Sequence, residues 1–145
     1  MLLESLFERG SISVMQRMMA FTEERHRVLA NNISNFDTVG YQMRDLPVQE
    51  FNDALNAAVK RRNHRGVGAR LDIRSTRHVR WDQNGHIQVS STEIKNNNIL
   101  FHDKNNRFVE KQMSEMSKNT AKHTLVSNIL RQQYDLLRTA IRGRL

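Results

Sequence analysis

The side chains in this sequence that could do chemistry are its histidines and a group of arginines. The histidines form no HExxH motif and no pair on one helical turn, and no carboxylate accompanies them at the spacing of a metal site. They are spread along the chain as His26, His64, His78, His86, His102 and His123. Cysteine is absent, which excludes disulfides, thiolate nucleophiles and cysteine-ligated zinc or iron–sulfur sites.

Glycine-rich and nucleophile motifs are missing as well. The segment Gly66-Val67-Gly68 lacks the third glycine, the preceding strand and the following helix of a dinucleotide-binding loop. The sequence contains no GxSxG motif and no Walker loop. We therefore predict that the protein is not an enzyme, that it holds no cofactor or metal ion, and that it has no small-molecule substrate.

The arginines are concentrated in the middle of the chain. The formal net charge is +8, and residues 60–80 alone hold eight basic groups against the single acid Asp72. Such a segment could neutralise phosphates, so a small basic nucleic-acid-binding protein using Lys60 to Arg80 is the alternative function. The segment has no aromatic stacking platform before Trp81 and no recognition-helix pattern. The favoured interpretation is a solvated loop, with or without an acidic partner.

A long amphipathic helix is predicted over residues 12–33. Its stripe residues alternate at spacings of three and four, which places them on one side of a helix. Neither proline nor glycine interrupts the segment, which would form a rod of about 33 Å. The stripe consists of Ile12, Met15, Met19, Thr22, His26, Leu29 and Ile33.

The C-terminal part repeats this pattern and predicts a second helix over residues 108–142, with Gly143 placed to end it. Both stripes become polar midway, so we expect the helices to pack in a larger bundle, and we expect His26 and His123 to be partly buried there. The two histidines could make a pH-sensitive contact across such a bundle. The second stripe consists of Val109, Met113, Met116, Thr120, His123, Ser127, Leu130, Tyr134, Leu137 and Ile141.

The residues between the helices predict short elements. A brief amphipathic helix follows Pro47 and carries Phe51, Leu55, Ala58 and Val59 on one face. Residues 60–70 have no apolar period and predict a mobile loop. Val79 and Trp81 before Asn84-Gly85, with Ile87 and Val89 after it, predict a β-hairpin with a type I′ turn.

The predicted fold is therefore mainly α and forms a single domain over residues 1–145. Long N- and C-terminal helices pack as an antiparallel coiled coil or bundle, with a short helix, a basic loop and a small β-hairpin between them. No segment approaches the roughly 18 apolar residues of a spanning helix. The first ten residues contain Glu4 and Glu8 and no basic n-region before an apolar core, so no cleavable secretory signal is expected.

A turn-forming motif follows the first helix. Asparagine side chains bond the free backbone groups of a helix end, glycine supplies a positive φ, and tyrosine can pack back on the helix. Taken alone the motif is a helix terminator. Its residues are Asn31, Asn32, Ile33, Asn35, Asp37, Thr38, Gly40 and Tyr41.

The segment from Ala30 to Tyr41 resembles the N-terminal signature of bacterial flagellar axial proteins, a family of rod, hook and hook-associated proteins. Three further stretches are similar to family segments, namely Ser75 to Val79, Asp103 to Met113 and Leu136 to Gly143. The short chain, without a large inserted domain, is most like a proximal rod protein, and another short rod type is the alternative. Val39 departs from the family, which commonly has proline there, and this leaves the turn less rigid.

The resemblance implies a structural subunit of the flagellar basal-body rod that polymerises through its terminal helices and links the membrane-embedded base to the driveshaft for motility. It implies type III export without a cleaved signal, a periplasmic location, and contacts with copies of itself, other rod subunits, the basal-body ring or export gate and a rod-base protein. We also expect the terminal helices to become ordered on assembly. The expected assembly interface comprises Ile12, Met15, Met19, Leu29, Val109, Met113, Met116, Leu130, Tyr134, Leu137 and Ile141.

Overall fold

The computed structural model describes residues 11–66, 69–81, 87–93 and 104–143. Three helices dominate these ranges, as predicted. Helix α1 spans Ser11–Ser34, α2 spans Val48–Arg65 and α3 spans Lys104–Arg142. The same ranges contain four short strands: β1 (Arg44–Asp45), β2 (Val79–Trp81), β3 (Ile87–Val89) and β4 (Thr92–Glu93).

The helix ends lie close to the predicted positions. Helix α1 is one residue longer at each end than predicted. Helix α3 begins four residues earlier, at Lys104, because its first turn carries no residue of the apolar stripe from which the start was inferred. Its predicted end at Arg142 is confirmed, and Gly143 follows with a φ of 63°, the conformation that lets glycine terminate a helix.

The predicted loop over residues 60–70 is wrong in its first half, because α2 continues to Arg65. Lysine and arginine are good helix formers, so a basic run does not by itself end a helix. The buried stripe of α2 also continues, with Arg62 taking the inward position after Val59. Basic residues fill the last turn, where they complement the helix dipole, and Gly66 follows with a φ of 89°.

The predicted hairpin is confirmed by its strand pairing. Strands β2 and β3 are antiparallel and pair Val79 with Val89 and Trp81 with Ile87. The predicted type I′ turn at Asn84-Gly85 lies outside the described residues. A second antiparallel pair, β1 with β4, was not predicted; it joins Arg44 to Glu93 and Asp45 to Thr92.

The hydrophobic core lies between α1, α2 and strand β2. The Phe21 and Phe51 rings stack with centroids 4.0 Å apart, and the Trp81 ring lies 6.2 Å from that of Phe51. Helix α3 adds Val126 and Ile129 to this core. The other buried members are Val14, Met15, Leu46, Leu55, Ala58, Val59, Ile73 and Val79.

Helices α1 and α3 run antiparallel, as predicted. The residue numbers of contacting side chains rise along α1 while they fall along α3, in the pairs Gln16–Tyr134, Thr22–His123 and Asn32–Gln112. Within the described ranges, no helix combines the length and the apolar character needed to cross a membrane.

Candidate functional site

The motif after α1 is built around the amide of Asn32, which is fully buried. Its Nδ2 donates hydrogen bonds to the Arg44 carbonyl oxygen at 2.6 Å and to Gln112 Oε1 at 3.0 Å. Its Oδ1 accepts from the Arg44 backbone N–H at 3.1 Å and from the Tyr41 hydroxyl at 3.2 Å. Both amide protons and both oxygen lone pairs are therefore used. One side chain fastens α1 to the start of β1 and to α3.

The remaining motif residues shape the turn that brings the chain back to Asn32. Asn35 donates from its backbone and side-chain nitrogens to the Asn31 carbonyl, as expected for a side chain that satisfies a helix end. The Tyr41 N–H donates to the Thr38 carbonyl at 3.1 Å, and Gly40 has a φ of 81°. These two features define a type II turn with glycine at its third position. The predicted positive φ at Gly40 is confirmed.

A buried arginine forms a second junction about two helical turns before Asn32. The Arg25 guanidinium, with a side chain only 7% exposed, forms a two-pronged ion pair with Asp45 at 2.9 and 2.8 Å and contacts Glu115 Oε2 at 2.9 Å. The hydrogen bond to Asp45 raises the pKa of Arg25 further above its ordinary value. Hydrogen bonds from Lys118 and then Arg25 lower the pKa of Glu115. Arg25 thus ties α1 to β1 and α3.

The Ser75 to Val79 segment is anchored to α2 by a carboxylate. Glu50 accepts the His78 backbone N–H at 3.1 Å and contacts His78 Nδ1 at 2.9 Å. Hydrogen bonds from Thr76 and then His78 lower the pKa of Glu50 to about 2. Thr76 also closes a local turn, since its N–H donates to the Val79 carbonyl at 2.8 Å. This turn leads directly into β2.

The contact between α1 and α3 is lined by polar side chains. Asn119, which is 1% exposed, donates from Nδ2 to the Thr22 carbonyl at 2.7 Å. The Thr22 hydroxyl lies 2.9 Å from His123 Nδ1. His123 is half-buried, so the prediction of its partial burial is confirmed. His26 is exposed, and that prediction is wrong: Arg25 takes the inward position because its charge is paired there.

The expected assembly residues fall into three groups by exposure. Met15 and Leu29 are fully buried within the chain's own packing. Ile12, Met19, Val109, Met116 and Leu130 are half-buried, and Leu130 packs on the core. The exposed group lies on α3 and consists of Met113, Tyr134, Leu137 and Ile141. Leu125 and Leu136 of α3 are exposed as well.

Some residues of the basic segment, residues 60–80, form contacts within the fold. Arg62 is buried at the end of α2, and Arg61 donates to the Asp72 carbonyl at 3.1 Å. This bond and the Glu50–His78 contact hold residues 72–78 beside α2 in the opposite direction. Four arginines on the outer side of this segment are exposed: Arg70, Arg74, Arg77 and Arg80.

Sequence reasoning missed four residues that carry these contacts, namely Arg25, Glu50, Gln112 and Asn119. Arg25, Gln112 and Asn119 are buried polar side chains at inward positions, where a hydropathy pattern looks for apolar ones, and Glu50 is a half-buried carboxylate. A usable signal exists only for Gln112 and Asn119, which stand fourteen and seven residues, respectively, before the buried Val126. Across the described ranges no three histidine, aspartate or glutamate side chains come together as a metal site.

A chain whose motif side chains join helices to one another, instead of converging on a cleft, has the construction of a structural subunit. Comparison with known proteins agrees with this class. The family model described as "Flagella basal body rod protein" matches residues 19–42, which include Arg25, Asn32 and the turn through Tyr41. That family is structural, in line with the prediction that the chain is not an enzyme.

Two curated relatives are similar over half of the chain. The flagellar basal body rod protein FlgB of Yersinia enterocolitica is 30% identical over 70 residues, which are 48% of this chain and 49% of the relative. FlgB of Yersinia ruckeri is 29% identical over 70 residues with the same shares. The chain therefore spans about half the length of the curated relatives it matches. No solved structure shows a significant match. The predicted resemblance to flagellar rod proteins is confirmed, and among them the chain is most like FlgB.

Proposed function

We propose that the chain is a structural subunit of the bacterial flagellar basal-body rod, at its proximal end. It polymerises through its terminal helices and links the membrane-embedded base to the driveshaft. Its partners are copies of itself, other rod subunits, the basal-body ring or export gate and a rod-base protein, and it is exported without a cleaved signal. The observation that carries the proposal is the family match over residues 19–42, the segment that the Asn32 and Arg25 junctions fasten to the rest of the fold.

The exposed end of α3 supports polymerisation through the terminal helices. Every residue from Tyr134 to Gly143 is exposed, and three large apolar side chains are among them: Leu136 at 64%, Leu137 at 47% and Ile141 at 84%. Apolar side chains this exposed gain free energy when another surface covers them, at about 25 cal/mol for each Å² removed from water. Neighbouring subunits would supply that surface.

The same exposure supports folding that is completed on assembly. An isolated helix gains little stability in water without tertiary packing, so a segment that contributes nothing to the core should fray. The exposed end of α3, from Tyr134 to Arg142, is such a segment. We expect circular dichroism of the purified monomer to show less helix than α1, α2 and α3 together contain, and we expect the signal to rise on polymerisation. A fully helical, cooperatively melting monomer that tolerates truncation after Leu130 would contradict this step.

The function itself is tested by genetic replacement. Deleting the gene should abolish flagellar assembly and swimming, and the full chain should restore both. A chain carrying Leu137→Glu and Ile141→Glu should fold with unchanged α1–α2 core stability yet fail to restore swimming, since neither side chain contacts the core. Gln132→Glu is the control, because it adds a negative charge at another exposed α3 position. Normal swimming after the deletion would refute the proposal.

A further inference from the structure

The buried side chains of α3 recur at one heptad position. Between Val109 and Gly143 the buried residues are Gln112, Asn119, Val126 and Ile129. The first three are separated by seven residues each, so they occupy equivalent sites along α1. Two of these equivalent sites are polar and one is apolar. A helix of this kind could meet α1 in several registers if only its apolar periodicity mattered.

Each polar side chain has a partner at only one level of α1. Gln112 Oε1 accepts from Asn32 Nδ2 at 3.0 Å, and Asn119 Nδ2 donates to the Thr22 carbonyl at 2.7 Å. A slip of α3 by one heptad would place Asn119 in the apolar site of Val126, or Val126 beside the Thr22 carbonyl. Leaving a buried amide without a partner costs about 1–3 kcal/mol. The slipped registers are therefore higher in free energy, because the side-chain amides of Gln112 and Asn119 would lose their partners.

We infer that Gln112 and Asn119 are the specificity-determining residues of the α1–α3 pairing: they select one register and add little net stability. Buried polar side chains at heptad positions are best known for this role. The register matters because it sets where α3 carries its exposed apolar end relative to α1. The inference goes beyond the proposed function and is tested on the isolated chain, so it stands or fails separately from rod assembly.

The test replaces both amides with apolar side chains of similar size, in the variant Gln112→Leu/Asn119→Leu. The Thr22 carbonyl lies inside α1, so its helical hydrogen bond remains after Asn119 is removed. Asn32 Nδ2 also keeps its bond to the Arg44 carbonyl. The variant leaves one amide proton of the buried Asn32 without its partner and adds two apolar side chains to the contact, so we expect its melting temperature to stay within a few degrees of that of the parent chain.

Register is read from the distance between two spin labels. The chain has no cysteine, so cysteines introduced at the exposed Arg27 and Arg131 take the labels without background. The parent chain should give one distance. The double leucine variant should give a second population, because sliding by one heptad changes the axial separation by about 10 Å. Asn128→Leu is the matched control, since it makes the same change at an exposed position of α3 and should keep one distance.

A single unchanged distance in the double leucine variant overturns the inference, whatever happens to its melting temperature, because Val126 and Ile129 would then suffice to set the register. If circular dichroism shows that the double variant does not fold, Asn119→Leu alone is measured in the same way. A second population in this single variant supports the inference, and its absence overturns it.

Discussion

Helix α1 packs against two neighbours by different means. Towards α2 it presents aromatic and aliphatic side chains, with Phe21 stacked on Phe51. Towards α3 it presents Arg25, Asn32 and the Thr22 carbonyl, each met by a polar side chain. Apolar burial is strong but tolerates sliding and repacking, whereas a hydrogen bond depends on position and adds little net free energy. The first contact stabilises the subunit, and the second aligns it.

Breaking the apolar contact should have the largest effect. Phe51 is 2% exposed and lies between Phe21 and Trp81, so Phe51→Ala removes a ring from the centre of the core. We expect the free energy of unfolding to fall by about 4 kcal/mol, as is usual for a buried phenylalanine. Urea titration followed by circular dichroism measures this loss. Phe36→Ala is the control: Phe36 is 43% exposed, and a change under 1 kcal/mol is expected.

Removing Arg25, the centre of the polar contact between α1 and α3, should lower the free energy of unfolding by less than Phe51→Ala does. Arg25→Ala leaves Asp45 and Glu115 without their shared cation, and removing one member of a buried ion pair typically costs about 3–5 kcal/mol. The two carboxylates are 27% and 28% exposed, so water partly solvates them, and we expect about 2–3 kcal/mol. The same titration applies. Arg27→Ala is matched to it, because Arg27 pairs with Glu23 on the surface, where about 0.5 kcal/mol is expected. Equal losses from the two variants would contradict the assignment of Arg25.

Glu50 of α2 makes polar contacts with Thr76 and His78, although α2 packs on α1 through apolar side chains. The titration of Glu50 therefore tests how much a polar contact contributes on that side of the molecule. Its folded-state pKa of about 2 lies below the ordinary value of 4.5, so its bonds to Thr76 and His78 stabilise the fold above pH 4.5. That contribution should disappear as the pH falls from about 5 to about 2. Glu50→Gln should therefore be less stable than the parent at pH 7, by under about 1 kcal/mol for so open a pair, and the gap should close at low pH. A gap that persists at pH 2 would show that packing, not charge, was lost.

The sequence allowed the apolar contact to be predicted more fully than the polar one. Helix α2 and its buried Phe51, Leu55, Ala58 and Val59 follow from period and from Pro47. The hairpin pairing follows from alternation around Asn84-Gly85. These signals work because apolar burial has a period that hydropathy records.

The polar contact between α1 and α3 was not predicted, because the residues that face inward there are not apolar. The stripe predicted for α1 contains His26, yet Arg25 is the buried neighbour; on α3 it contains Met113 and Thr120, yet Gln112 and Asn119 are buried. In each case the inward position precedes the predicted one by one residue. On α3, the hydropathy pattern marked a row of apolar side chains that is exposed in the structure. The pairing of β1 with β4 was missed for another reason: the two strands are far apart in sequence, so no local pattern predicts their pairing.

The smallest expected effect concerns the turn that leads from α1 to β1, and it should leave both contacts unchanged. Val39 is fully exposed and occupies the second position of the type II turn closed by Tyr41 and Thr38, where proline is favoured. Val39→Pro restricts the unfolded chain and should raise the free energy of unfolding by about 0.4–1 kcal/mol. Gly40→Ala is the opposite control: no atom lies within 4 Å of the added Cβ, so any loss reports the strain of its φ of 81° alone. Destabilisation by Val39→Pro would mean that this turn needs the Val39 N–H or a backbone that proline cannot adopt. The motif would then depend on flexibility at the second position of the turn, where a type II turn favours proline.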